Sequence, residues 1–155
     1  MKEDELNILE LLIRNELAIR QLYERYASLF VNNKDFWQRL ADDEQRHADA
    51  LGTLRTESHI NKLLLQEGLI KPQAIKLSIG YIESQAERAQ KDNINLLQAL
   101  SIAKDFESAL LEKQFSKLSD LASKEMKAIL MDLTIETERH RSAIVEALNA
   151  AKQQP

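Results

Sequence analysis

The sequence predicts an all-α protein: a four-helix bundle built from two antiparallel helical hairpins, joined by a long crossover that carries an additional short helix. Three observations predict it. Only 3 glycines and 2 prolines occur in 155 residues, and strong helix formers (Leu, Ala, Glu, Lys, Gln) dominate. Apolar residues recur at three- and four-residue spacing along four long segments, the period of one helix face. Two of the three joins between those segments are short, which makes the flanking helices antiparallel neighbours, whereas the third is too long for a turn.

The first helix is expected from about Asp4 to Phe30, with the inward stripe Leu9, Leu12, Glu16, Ile19, Tyr23, Tyr26 and Phe30. Val31-Asn32-Asn33 ends it, and Asn33 is suited to cap the next helix. The second runs from about Asp35 to Arg55, with the stripe Trp37, Leu40, Glu44, His47, Leu51 and Leu54. The crossover follows, punctuated by Gly68 and Pro72, and Ile75 to Ala89 reads as a further amphipathic helix. The third long helix starts near Asp92 or Asn93 and continues to about Lys117, with the stripe Leu96, Leu100, Ala103, Glu107 and Leu110. The fourth runs from about Ser123 to Ala150, with the stripe Met126, Leu130, Leu133, Thr137, His140, Ile144 and Ala147. One domain over residues 1–155 is expected, divided into a hairpin at 4–56, a crossover at 57–91 and a hairpin at 92–151.

Bulk composition narrows the function classes. With 21 basic and 25 acidic residues the formal charge is -4, and no basic block stands out, so neither nucleic acid nor an anionic membrane is an expected partner. The absence of cysteine excludes disulfides, iron–sulfur clusters and thiolate metal sites. No apolar run approaches a membrane span, and the acidic start of the chain lacks a signal-peptide pattern, so a soluble cytoplasmic protein is expected.

The stripes contain residues that do not belong in an apolar core. Glu16, Glu44 and Glu107 occupy stripe positions, together with two of the three histidines, His47 and His140. An isolated buried carboxylate costs several kcal/mol unless it is paired or ligates a cation. Glu44 and His47 stand three residues apart, on one face of their helix, and can serve one metal ion. The chain repeats this arrangement imperfectly. Leu40 to His47 and Leu133 to His140 both span seven residues, so Thr137 is the counterpart of Glu44. Taken singly, each of these residues also has a bland reading, as a bundle-edge acid with a solvated head or a hydrogen-bonded core histidine. Their coincidence points to a divalent cation, and mixed oxygen and nitrogen ligands suit iron, manganese or zinc. Tyr23, one heptad after Glu16, is either simple core, a hydrogen-bond donor behind the ligands or a redox-active phenol beside the site, and Arg20 flanks the same stripe.

The ordered motifs resemble the rubrerythrin-like branch of the ferritin-like superfamily. The family pattern is a glutamate on the first helix, Glu-x-x-His on the second, a glutamate on the third and Glu-x-x-His on the fourth. It falls here on Glu16, Glu44 with His47, Glu107, and Thr137 with His140. The segments FWQRLADDEQRHADAL and NLLQALSIAKDFESALLEKQF look like the family's second and third helices. The resemblance covers nearly the whole chain and implies a carboxylate-bridged di-iron centre. Glu16 and Glu107 would each cap one iron, and the Glu-x-x-His carboxylates would bridge. It implies reduction of peroxide, activation of dioxygen or oxidation of ferrous iron. Three departures stand out: Thr137 replaces a bridging carboxylate, Leu110 stands where peroxidase-type relatives often carry a further acid, and there is no rubredoxin domain, so electrons would come from a separate donor.

Three readings follow. The chain is a redox-active metalloprotein of peroxidase or ferroxidase type, with Tyr23 assisting; or a non-catalytic single-metal bundle; or an interaction bundle with a vestigial site. A homodimer is expected, because Ile75, Leu77, Ile79 and Ile82 on the crossover helix offer apolar surface, with a monomer that packs them internally as the alternative.

Overall fold

The computed structural model describes residues 8–56, 71–91, 94–108 and 124–153, with helices as their only regular secondary structure. Five α-helices are described: α1 (Ile8–Leu29), α2 (Lys34–Gly52), α3 (Pro72–Gln90), α4 (Leu96–Phe106) and α5 (Lys124–Lys152). Short 3-10 turns follow α1 at Val31–Asn33 and α2 at Thr53–Thr56. No described helix is long and apolar enough to cross a membrane. The chain divides into two compact units, Met1–Asn93 and Ile94–Pro155.

In the first unit α1 packs against both α2 and α3. Contacts climb α1 as they descend α2: Glu10 grips Arg55, Glu16 meets His47, Arg20 reaches Gln45 and Tyr26 stacks on Trp37. The two helices are therefore antiparallel, as their short join requires. Every expected stripe residue of α2 is buried, and so are those of α1 as far as Tyr26. Asn33 does precede α2, but its side chain makes no capping hydrogen bond. At the far end, Arg55 donates Nε and Nη2 to the Glu10 carboxylate at 2.6 and 2.8 Å. The hydrogen bond from Arg55, more than its charge, holds the Glu10 carboxyl below its usual range.

Burial on α1 is broader than one stripe. Ile8, Leu11, Ile13, Asn15, Ala18, Leu22 and Ala27 are buried as well, because α3 covers a second face. Pro72 opens α3, three residues before the expected start, at the position where its missing N–H costs nothing. Ile75, Ile79, Ile82, Ala86 and Ala89 are its buried face. Three of the four residues behind the expected dimer contact are thus buried, and Leu77, 66 % exposed, is the one that remains open.

One polar bond registers α3 on α1. Ser78 Oγ donates to Asn15 Oδ1 at 2.8 Å, and Asn15 is only 1 % exposed. Ser78→Ala removes the donor and leaves the amide buried, with an expected loss of about 1–3 kcal/mol in urea denaturation. Adding Asn15→Leu is expected to recover most of that loss, since no polar group is then stranded.

In the second unit α4 packs against α5. Asn95, not Asp92 or Asn93, begins α4. Its side chain accepts from the Gln98 N–H at 2.8 Å, and the Gln98 side chain accepts from the Asn95 N–H at 2.9 Å. This capping box satisfies two donors that a helix start would otherwise strand. The helix widens to a π-type turn at residues 107–108. On α5, Met126, Leu130, Leu133, Thr137, His140 and Ile144 are buried as expected, but the last buried position is Leu148 rather than Ala147. A straight helix drifts off a heptad count, so the stripe steps over by one residue near its end. The expected continuation of the third long helix to Lys117, with Leu110, lies outside the described residues.

Candidate metal centre

The first unit brings Glu16, Glu44 and His47 together. α1 supplies Glu16 from the middle of its stripe. α2 supplies Glu44 and His47, and their three-residue spacing turns both toward α1. His47 Nδ1 lies 3.2 Å from Glu16 Oε1 and 3.4 Å from Glu44 Oε1. Both carboxylates are 0 % exposed and His47 is 2 % exposed.

The spacing fits two chemical states. Without metal, an imidazolium sits between two carboxylates. Burial is the largest single influence on His47 and would lower its pKa, but hydrogen bonds to Glu16 and Glu44, with their negative charge, outweigh it and push the pKa up to about 11. With metal, the separations of His47 Nδ1 from the two carboxylates are those of neighbouring ligand atoms. Oxygen and nitrogen ligands stand about 2.0–2.2 Å from a small divalent ion, which sets neighbouring ligand atoms roughly 3–3.5 Å apart. Glu44 and His47 carry ligand atoms close enough to share an ion. Two carboxylates and a neutral imidazole are a donor set for iron, manganese or zinc.

The second unit brings Glu107 and His140 together more loosely. His140 Nδ1 lies 3.6 Å from Glu107 Oε1, and the two residues are 5 % and 1 % exposed. Thr137, 1 % exposed, is not turned toward them as a donor. Its Oγ1 donates to the Leu133 carbonyl at 2.7 Å, one turn back on its own helix. Among the described residues this unit therefore brings together one carboxylate and one imidazole where the first brings together two carboxylates and one imidazole.

Two further sequence candidates, Tyr23 and Arg20, are also described. Tyr23 is 0 % exposed, and its ring packs against Trp37 at a centroid distance of 5.5 Å. Arg20 stays at the edge, where Nη1 donates to Gln45 Oε1 and Nε lies 3.5 Å from Glu24. Two features were missed. Asn15, beside Glu16, faces α3 rather than α2, and a polar residue on the flank of a stripe gives no warning of a second covering helix. The other is the aromatic packing on Trp37, since apolar periodicity does not separate an aromatic cluster from ordinary core.

No protein-family model, curated protein or solved structure matches this chain.

Proposed function

We propose that this protein is a metal-binding helical bundle of ferritin-like architecture in which Glu16, Glu44 and His47 hold one divalent transition metal, iron first, with Glu107 and His140 supplying a weaker second set. The observation that carries the proposal is the buried Glu16–His47–Glu44 set, in which His47 Nδ1 stands 3.2 and 3.4 Å from the two carboxylates and Glu44 and His47 carry ligand atoms close enough to share an ion. The resemblance to rubrerythrins supports iron and a redox role toward peroxide or dioxygen. Bound iron would supply one-electron chemistry. The chain's own part is to provide two negative charges, surrender the His47 proton on loading and keep bulk water from the ion. Reducing equivalents would come from a separate electron donor.

Thr137 favours a second reading, a single-metal bundle without turnover. Threonine is neutral where Glu44 carries a charge, and its hydroxyl is engaged with Leu133, so Glu107 and His140 would hold an ion less firmly than the first set.

Anaerobic loading with ferrous iron, desalting and metal analysis, followed by a peroxide challenge, tests both. The redox reading expects at least one retained iron per chain and rapid peroxide consumption. The single-metal reading expects one retained ion and no consumption. A chain that retains neither iron, zinc nor manganese refutes both.

A further inference from the structure

The outer side of α5 carries a surface that the metal-binding reading leaves unused. The buried residues of this helix follow one stripe, from Met126 to Leu148. On the opposite stripe two large apolar side chains stand in the open, Met131 at 51 % exposure and Ile135 at 47 %. Beside them lies an open hollow of about 470 Å³, lined along α5 from Thr134 to Glu146. Its outline is that of helix packing. Ile135, Glu138, Arg139 and Ser142 stand at i, i+3, i+4 and i+7, the four corners of a hole that receives one side chain of a facing helix. Arg139, Ser142, Ala143 and Glu146 are the corners of the next hole, one turn further on. The floor is shallow enough for a close approach because Ser142 and Ala143 are small. One stripe thus holds two knobs four residues apart, Met131 and Ile135, and two holes whose centres are also four residues apart.

A face that carries both knobs and holes is complementary to itself, and its charges fix the direction. Asp132 and Arg139 are seven residues apart, two turns along the same flank of α5. Both are exposed, and neither has an ion-pair partner among the described residues. A parallel copy would set each Arg139 level with the other Arg139. An antiparallel copy, with its two-fold axis level with Glu136 and Thr137, sets each Ile135 over the other copy's first hole and each Met131 over the second. The same rotation brings each Arg139 to the other copy's Asp132, about 3 Å apart along the axis at 1.5 Å per residue, a gap the long side chain spans. We propose that a second copy of this chain docks antiparallel on this face of α5, with Met131 and Ile135 of each copy in the hollow of the other and two Arg139–Asp132 pairs closing the contact. A contact along one helix face lies at the low end of specific interfaces, below roughly 1,200 Å². The dimer is therefore in equilibrium with the monomer, and the fraction paired rises with concentration.

Sedimentation equilibrium on the 155-residue chain tests this. A monomer–dimer equilibrium is expected. Ile135→Glu puts a charge on a side chain already half in water, so the helical circular dichroism is expected to stay unchanged while the dissociation constant of the dimer rises about tenfold or more. Arg139→Asp and Asp132→Arg each set like charges together and are each expected to weaken the dimer about tenfold. The two combined exchange the partners and are expected to restore it, which a merely structural role for either residue would not do. The chain lacks cysteine, so Ile135→Cys offers a single thiol for a short bis-maleimide and is expected to yield a cross-linked dimer. Leu77→Cys, at the exposed apolar residue of α3, is expected to yield none. A chain that stays monomeric at the highest concentration reached, a dimer unmoved by Ile135→Glu, a charge exchange no tighter than either single reversal, or cross-linking through position 77 and not 135 each overturn the proposal.

Discussion

His47→Ala is expected to cost the metal-free protein about 3–5 kcal/mol and to abolish retention of ferrous iron. The stability loss arises because the substitution removes the cation from between two fully buried carboxylates, and breaking a buried ion pair from one side leaves charge that the core cannot solvate. The loss of iron arises because the first unit then keeps only two oxygen donors on α1 and α2. Urea midpoints on the metal-free protein and iron analysis after desalting measure the two effects separately. A stability change below about 1 kcal/mol, the range of an exposed pair, would mean that the imidazole is not charged between Glu16 and Glu44.

The same pair sets a pH dependence whose sign can be stated. The pKa of His47 is raised by folding, from the ordinary 6.5 to about 11. Its contribution is therefore fully present below the unfolded value and is lost as pH rises through the folded one. The gap in stability between the unchanged protein and His47→Ala is expected to be widest near pH 6 and to narrow toward pH 11. Metal affinity runs the other way. The ion displaces the His47 proton, so uptake releases protons and tightens as pH rises. Denaturation of both forms at several pH values, with and without zinc, checks the two slopes together.

Thr137→Glu is expected to lower the melting temperature of the metal-free protein and to raise its iron content. A carboxylate at this position enters a site only 1 % exposed, where an uncompensated charge costs several kcal/mol. With ferrous iron the order reverses. Glu107 and His140 gain a third ligand three residues before His140 on the same face, and ligand binding to the folded state raises its stability by mass action. The informative quantity is the iron-dependent shift in melting temperature, which should be larger in the variant than in the unchanged chain. Thr137→Val serves as the control. It removes only a hydroxyl already bonded to Leu133, and iron content should not change. If Thr137→Glu gains no iron, position 137 is not a ligand position, and the repeat between the two Leu-to-His segments is coincidental.

Much of this was legible before any coordinates. The buried faces of α1, α2 and α5 follow from periodicity, because a helix presents every third or fourth side chain to one neighbour whatever that neighbour is. The anomalous residues were legible for the same reason. Glu16, Glu44, His47, Glu107 and His140 stood out as polar groups at apolar positions, and all five are buried. The start of α4 was less legible. Asp92, Asn93 and Asn95 are all good caps by type, and only the reciprocal bonds with Gln98 choose Asn95. Ile75, Ile79 and Ile82 were readable as apolar but not as occupied, since a sequence shows a sticky face without showing what covers it.

The sequence by itself determined the helical class, the faces of the long helices and which side chains break the apolar pattern, because these depend on intervals along one chain. Only the tertiary structure decided which of the anomalous residues meet. It set His47 Nδ1 between two carboxylates at 3.2 and 3.4 Å, tied Asn15 to Ser78 and gathered four rings on Trp37. Distances between groups on different helices depend on rotation and register about each axis. A shift of one residue turns a side chain by about 100°, and the spacing of residues along a single helix does not encode that choice.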